Sequence, residues 1–96
     1  MLWVCYMRLY SIIYDLKQPG RNYSELYDAI REIGETRHPL ESMWFVKVDD
    51  SISVEQVSQK LQGVIDRMDS LFVVDITGAG YQGWLPRSFW EWIKVL

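Results

Sequence analysis

Residues 71–77, with the sequence Leu-Phe-Val-Val-Asp-Ile-Thr, constrain the fold more than any other segment of this chain. Their β-branched and aromatic side chains predict a strand. Side chains alternate between the two faces of a strand. Leu71, Val73 and Asp75 therefore lie on one side, and Phe72, Val74 and Ile76 lie on the other. Both sets are largely apolar. The sheet that holds this strand therefore needs cover on both faces.

Strand and helix signals alternate along the rest of the chain. β-Branched and aromatic residues predict a strand at residues 8–15, and an alternating pattern predicts another at residues 42–48. Pro39 limits residues 35–41 to a short edge strand. Apolar residues at helical spacing predict a helix at residues 23–33. Asn22 or Ser24 can cap the start of this helix, and Gly34 ends it.

A second helix is predicted to begin at a capping box formed by Ser53 and Gln56. Its apolar stripe runs as far as Met68. A third helix, rich in aromatic residues, is predicted within residues 84–96 and begins near Pro86, a residue that suits the first turn.

This order of elements predicts an α+β fold, a ferredoxin-like βαββαβ sandwich with an antiparallel sheet, two helices on one face and an extra C-terminal aromatic helix. We expect residues 1–96 to form a single domain, with residues 1–6 as an extension before the first strand. The second sheet face has no predicted cover unless the C-terminal helix supplies it. An exposed apolar face of this kind favours a homodimer.

The composition excludes several classes of function. The net charge of −3 argues against broad electrostatic binding of nucleic acid, although a local basic patch is compatible with it. The chain has one cysteine, Cys5, and one histidine, His38, so it forms neither an internal disulfide nor a four-ligand zinc site. No apolar run approaches the ~20 residues of a spanning helix. We expect a cytoplasmic protein that does not enter the membrane.

Asp15 is the first candidate functional residue. It ends an apolar strand and precedes a Pro19-Gly20 turn. A carboxylate at a strand end can bind a hard cation such as Mg²⁺. Lys17 and Arg21 follow in the same loop and could contact a phosphate beside the metal. The alternative is that Asp15 terminates the strand and accepts hydrogen bonds from the turn.

Other polar and aromatic residues also have two interpretations. Asp75 interrupts an apolar strand, so it either pairs with a basic side chain across a dimer or joins Asp15 at a cation site. His38 is either structural or an acid–base group. The glycines of residues 78–83 indicate a loop better than a phosphate cradle. Four aromatic residues of the C-terminal segment could stack on bases or form a packing stripe: Trp84, Phe89, Trp90 and Trp92.

The chain resembles the CRISPR-associated endoribonuclease family in segments 14–16, 19–23, 42–46 and 69–74. Members of this family are the small ferredoxin-like dimers of spacer acquisition, and VapD-type toxins are related to them. A closer likeness is to its SinR-like branch, which shares the Tyr-Gln-Gly-Trp-Leu-Pro and Trp-Glu-Trp-Ile stretches at 81–86 and 90–93. The resemblance implies that two Asp15 carboxylates share one Mg²⁺ across the dimer axis and activate water on a phosphodiester.

The resemblance therefore implies a dimeric Mg²⁺-dependent endonuclease that acts on RNA or DNA. The chain departs from that family in being acidic, in lacking a basic run after Asp15 and in having a Trp-rich helix in place of a terminal strand. The alternative is a non-catalytic homodimer that bridges protein partners or nucleic acid. A basic groove beside Asp15, built from Lys17, Arg21 and Arg37, would favour the endonuclease.

Overall fold

The computed structural model describes residues 7–17 and 23–95. In chain order the elements are β1 (Met7–Asp15), α1 (Ser24–Ile33), β2 (Glu35–Leu40), β3 (Met43–Asp49), α2 (Val54–Gln62), β4 (Ser70–Asp75) and α3 (Arg87–Ile93). All strand pairs are antiparallel and the sheet order is β2-β3-β1-β4. This is the ferredoxin-like α+β arrangement, so the predicted fold class is confirmed. Cys5 and the Pro19-Gly20 turn lie outside the described residues.

Helices α1 and α2 cover one face of the sheet and bury the main core. Alternate residues of β1 and β3 point into this core, and partly buried residues of β4 pack against it. The members of this core that have no exposed surface are Ile12, Leu26, Ile30, Val46 and Leu61. A helix that buries one apolar stripe against a sheet is stabilised mainly by this packing rather than by its own propensity.

The opposite sheet face, called here the open face, has two halves. Helix α3 packs over the covered half, which consists of Leu9, Phe45 and Lys47. Phe89, Trp92 and Ile93 are the buried residues of α3 that make this layer. The uncovered half consists of Ile13, Phe72 and Val74, and Phe72 is 61% exposed. The C-terminal helix therefore supplies part of the cover that the sequence demands.

The ends of several elements differ from the sequence-based expectation. Helix α1 begins at Ser24 with Tyr23 as its N-cap, and the described residues give this end no side-chain cap. The predicted cap at Ser24 was wrong, and the other candidate, Asn22, lies outside the described residues. The capping box of Ser53 and Gln56 is present. Because α2 ends at Gln62, Met68 falls in the next turn and is 62% exposed.

Gly34 ends α1 as predicted, and its position explains why no side chain is tolerated there. A Cβ atom at residue 34 would overlap the backbone carbonyl oxygen of Lys47 on β3. The chain passes directly from α1 into the edge strand β2, so the backbone must approach β3 closely at this point. Any larger residue would push the helix away from the sheet.

Candidate functional site

Asp15 is the last residue of β1 and lies opposite Ser70 of β4. It shares its side of the strand with Leu9 and Ile13, so it belongs to the open face, at the end of the uncovered half. Its side chain is 65% exposed, and the ammonium group of Lys17 lies 2.5 Å from its carboxylate. The carboxylate is thus accessible and already has a cationic partner.

A cleft of about 820 Å³, called here the aromatic cleft, opens beside Asp15. The end of β1, helix α1 and the β2–β3 turn form its walls. The imidazole of His38 stacks on the buried ring of Trp44, with 4.0 Å between centroids and 14° between planes. The guanidinium carbon of Arg31 lies 5.2 Å from the centroid of the same Trp44 ring. The cleft therefore has a stacked aromatic floor and a cationic rim.

Hydrogen bonds fix the floor of the aromatic cleft. The indole N–H of Trp44 donates to the hydroxyl of Tyr14 at 3.0 Å, and this hydroxyl donates to the backbone carbonyl of Glu41 at 2.9 Å. Nε2 of His38 lies 3.0 Å from the same carbonyl, which only accepts, so Nε2 carries the proton. Burial raises the pKa of Tyr14 to about 12. The Tyr14 hydroxyl therefore keeps its proton at neutral pH, and the ring of His38 is held by packing on Trp44 and by its contact with the Glu41 carbonyl.

Asp75 does not lie with Asp15. The antiparallel register places Asp75 opposite Tyr10 and Asp15 opposite Ser70, so five residue steps, about 17 Å, separate them along the sheet. The interpretation that they form one cation site was therefore wrong. Asp75 was expected to pair with a basic side chain across a dimer, but the pairing occurs within the chain, since Nε and Nη2 of Arg8 donate to its carboxylate at 2.9 and 2.6 Å.

The ionisation of Asp75 follows from these contacts. Partial burial acts to raise the pKa of this carboxyl, but hydrogen bonds from Thr77 and Arg8 outweigh burial and hold the pKa below its usual range. The backbone N–H of Thr77 donates at 3.0 Å. Asp75 is therefore a structural anion that fixes the end of β4 to the start of β1.

Lys17 and Arg37, the two described members of the predicted basic groove, do not meet beside Asp15. Lys17 forms the ion pair already described, and Arg21 lies outside the described residues. Arg37 lies on the open face of β2, with its guanidinium carbon 4.9 Å from the ring of Trp92 in α3. Arg31, which the sequence did not single out, is the arginine that borders the aromatic cleft.

A divalent cation at Asp15 would have few ligands from one copy of the chain. Within residues 7–17 and 23–95 no three His, Cys, Asp or Glu side chains gather closely enough to hold a metal ion. Mg²⁺ commonly binds one or two carboxylates and keeps several waters, so two Asp15 side chains from two copies would suit it. Lys17 would have to release the carboxylate first.

Lys47 is a second residue that the sequence analysis passed over. It is 6% exposed, and its ammonium donates to the backbone carbonyl of Trp92 at 2.6 Å while lying 4.4 Å from the centroid of the Trp92 ring. Burial lowers its pKa. Its place in the pattern was visible, because Met43, Phe45 and Lys47 alternate onto one face of β3. The contact anchors α3, so the aromatic residues Phe89 and Trp92 have the packing role.

Trp84 differs from its aromatic neighbours, since it is 99% exposed. It borders an apolar groove of about 340 Å³ between α3 and the end of β3, lined in part by Met43, Tyr81 and Trp90. The glycine-rich segment that carries it is a loop as predicted, and Gly78 adopts a positive φ of 72° there. None of the described helices is long and apolar enough to span a bilayer.

Comparisons with known proteins support the fold and leave the function open. No protein-family model matches the chain, and no curated protein matches it significantly. Among solved structures the chain is similar to the crystal structure of a hypothetical protein TT1823 from Thermus thermophilus, with a TM-score of 0.60 and 22% identity. The match covers 84% of this chain and 96% of that one. A likeness at this identity concerns the fold alone.

Proposed function

We propose that the chain acts as a small homodimeric nuclease of the CRISPR-associated endoribonuclease type, in which Asp15 of two copies binds one Mg²⁺. The observation that carries this proposal is the position of Asp15 on the open face. Its neighbour two residues back, Ile13, lies opposite Phe72, so the carboxylate borders the exposed apolar half of the sheet. A second copy stacked on this half would bring the two Asp15 side chains together.

The proposal assigns roles to residues of one copy. Asp15 would supply a carboxylate to the shared cation, and Lys17 would be released from its ion pair to contact a phosphate. Arg31 and His38 border the same cleft and offer a cation and a ring to a nucleotide. Bound Mg²⁺ would polarise a water molecule and a phosphate oxygen. Such an enzyme would act in the cytoplasm on RNA or DNA phosphodiesters.

The test is the response of thermal stability and cleavage to Mg²⁺. A cation that binds the folded dimer and not the unfolded chain should raise the melting temperature of the wild type. Asp15→Asn should abolish both this rise and any cleavage of single-stranded RNA or duplex DNA. Glu32→Gln is the matched control, because Glu32 is also an exposed carboxylate in an ion pair with a lysine and lies outside the cleft. An identical Mg²⁺ response in the wild type and in Asp15→Asn would refute the site.

Lys17 provides a second variant that separates two roles. If its ammonium only competes for the Asp15 carboxylate, Lys17→Ala should strengthen the Mg²⁺ response and leave cleavage at least as fast. If Lys17 contacts the phosphate, cleavage should slow although Mg²⁺ still binds. The first outcome would make Lys17 a competitor of Mg²⁺ for the Asp15 carboxylate, and the second would make it a contact of the phosphate.

The second candidate function is a non-catalytic homodimer that bridges protein partners or nucleic acid. The 2.5 Å ion pair of Lys17 with Asp15 favours it, because it neutralises the carboxylate without a metal. The net charge of −3 and the exposed Trp84 also suit a surface that contacts protein. A wild-type dimer with neither cleavage nor a Mg²⁺-dependent rise in melting temperature would make this function the better conclusion.

A further inference from the structure

The two edges of the sheet are protected to very different degrees. On β2, Pro39 lacks a backbone N–H, the register shifts between Arg37 and Leu40, and charged side chains are exposed along the strand. These features are the ones by which natural sheets block pairing with another strand. On β4, residues 71–74 are Leu-Phe-Val-Val, without proline, charge or an irregularity in their pairing with β1. The β4 edge has no comparable protection.

The direction of the backbone groups on β4 can be read from its junction with β1. The N–H of Ile76 donates to the carbonyl of Leu9 at 2.9 Å. Alternate residues of a strand direct their backbone groups to the same side, so Phe72 and Val74 also bond to β1. Leu71 and Val73 therefore direct their N–H and C=O groups away from the sheet, where no described strand meets them.

The surroundings of this edge suit a second copy of the same strand. A twofold axis perpendicular to the sheet leaves every side chain on the face where it already lies. Residues directly opposite each other must therefore share a face, which requires the axis to pass beside one residue and its symmetry mate and not between two successive residues. The apolar run then meets an apolar run, so two chains that each carry a net charge of −3 approach along strand residues that carry no charge. Above the edge, α2 presents the uncharged polar residues Ser58, Gln59 and Gln62 together with one carboxylate, Glu55.

We propose that two copies of this chain pair through β4, antiparallel and centred on Phe72, and so join two four-stranded sheets into one. Leu71 of each copy exchanges backbone hydrogen bonds with Val73 of the other. Phe72 faces its own symmetry mate as a non-hydrogen-bonded pair, with Cα atoms about 4.5 Å apart. The two Phe72 residues, each 61% exposed in one copy, come together on the open face.

This contact is independent of the proposed catalytic site. Asp15 lies opposite Ser70, which is two residues from the axis, and its strand β1 is one strand further from the axis than β4. The two Asp15 Cα atoms therefore lie roughly 20 Å apart in the paired sheet. The edge contact therefore neither forms nor requires a shared cation site, which depends on stacking of the open faces. Each proposal can fail while the other stands.

Cysteine cross-linking tests the register in the full chain. With Cys5, the one native cysteine, changed to serine, Phe72→Cys should form a symmetric disulfide under mild oxidation, because the paired Cα atoms lie within the ~4.4–6.8 Å that a disulfide spans. Val74→Cys is the matched control on the same face. Its Cα atoms lie about 14 Å apart in this register, so it should form no disulfide between the two copies. Cross-linking of Val74→Cys but not Phe72→Cys overturns the register.

Amide hydrogen exchange distinguishes edge pairing from stacking of the open faces. In the dimer the amides of Leu71 and Val73 should exchange about tenfold or more slowly than in dilute protein. The amides of Phe72 and Val74 bond to β1 in either state and serve as internal controls. Protection of Leu71 and Val73 that does not change with protein concentration overturns the proposal, whatever Asp15→Asn does to the Mg²⁺ response.

A charged side chain placed at the proposed twofold axis provides the third test. Phe72→Lys should convert the dimer to a monomer in light scattering at micromolar concentration, because it sets two like charges opposite each other. The position is exposed, so the fold should persist by circular dichroism. Trp84→Lys, an equally large change at an exposed aromatic residue, should leave the dimer intact. A dimer that survives Phe72→Lys and is lost in Trp84→Lys overturns the proposal and assigns the interface to the apolar groove.

Discussion

The covered and uncovered halves of the open face are made of similar strand residues in different surroundings. Over the covered half, α3 reduces the exposure of Leu9 to 0% and of Phe45 to 6%. In the uncovered half Phe72 remains 61% exposed, beside the half-buried Ile13 and Val74. One short helix cannot cover a four-stranded face, so the chain satisfies the demand for cover at one end only.

The two halves also differ in polar contacts. The indole N–H of Trp92 donates to the carboxylate of Glu35 at 2.8 Å, and Lys47 donates to the Trp92 carbonyl at the end of α3. Directional bonds of this kind fix one orientation of the helix on the sheet. The uncovered half consists of apolar side chains alone. This contrast indicates that α3 is a permanent part of the fold, whereas the uncovered half is free to contact a second copy.

The largest expected effect is on the covered half. Trp92→Ala removes an aromatic ring that is 7% exposed, and it should lower the free energy of unfolding by about 3–5 kcal/mol. Phe72→Ala is the counterpart in the uncovered half and should cost less than about 1 kcal/mol in dilute protein. Urea unfolding followed by circular dichroism measures both. Similar losses of unfolding free energy in the two variants would show that the two halves are equally packed, which would contradict the difference described above.

A smaller effect is expected at the buried cation that anchors α3. Lys47→Ala leaves the Trp92 carbonyl without its donor and should cost about 2 kcal/mol. Lys47→Met keeps the apolar stem and removes the buried charge, so it should cost less than Lys47→Ala. If the methionine variant is the less stable of the two, the packing of the Lys47 stem does not stabilise the contact with α3.

The pH dependence of stability gives a second measurement of Lys47. Burial lowers its pKa in the folded protein, so near that pKa the unfolded chain binds more protons than the folded one. Stability from Lys47 should therefore rise with pH towards the unfolded value of about 10.4, relative to Lys47→Met. Tyr14 has the opposite sign, because its raised pKa makes stability fall above about pH 10. Comparison with Lys47→Met cancels the Tyr14 contribution, and a flat difference between the two proteins would contradict the buried-cation assignment.

Much of the fold was predictable because local patterns and global topology agree. The alternation in β3 and the two-sided apolar run of β4 specify strands, and the Ser53–Gln56 box specifies where α2 begins. The end of α2 was harder to predict, because Val64 and Ile65 continue the helical spacing although they pack against the core from a turn. A periodic pattern predicts which residues are buried, but it does not predict whether a helix or a turn carries them.

The candidate site was predictable only in part, because it depends on register and on long-range contacts. The sequence identified Asp15 at a strand end, but the five-residue offset from Asp75 follows from antiparallel pairing with β4. The partner of Asp75, Arg8, is 67 positions away in the chain. The aromatic cleft joins α1 with β2 and β3, so Arg31 and Trp44 carry no shared local signal.

The smallest effect is expected at the border between the two halves. Ser11 lies opposite Phe45 on the covered side and Val74 on the uncovered side, and it is 0% exposed. Its hydroxyl oxygen has no hydrogen-bond partner among the described residues. A buried polar group without a partner costs free energy, so Ser11→Ala should raise the free energy of unfolding by up to about 1 kcal/mol. Ser70→Ala, at an exposed position of β4, is the control and should change stability by less than about 0.5 kcal/mol. A loss of stability in Ser11→Ala beyond that of the control would mean that the hydroxyl is bonded in solution, and that water reaches the border from the uncovered half.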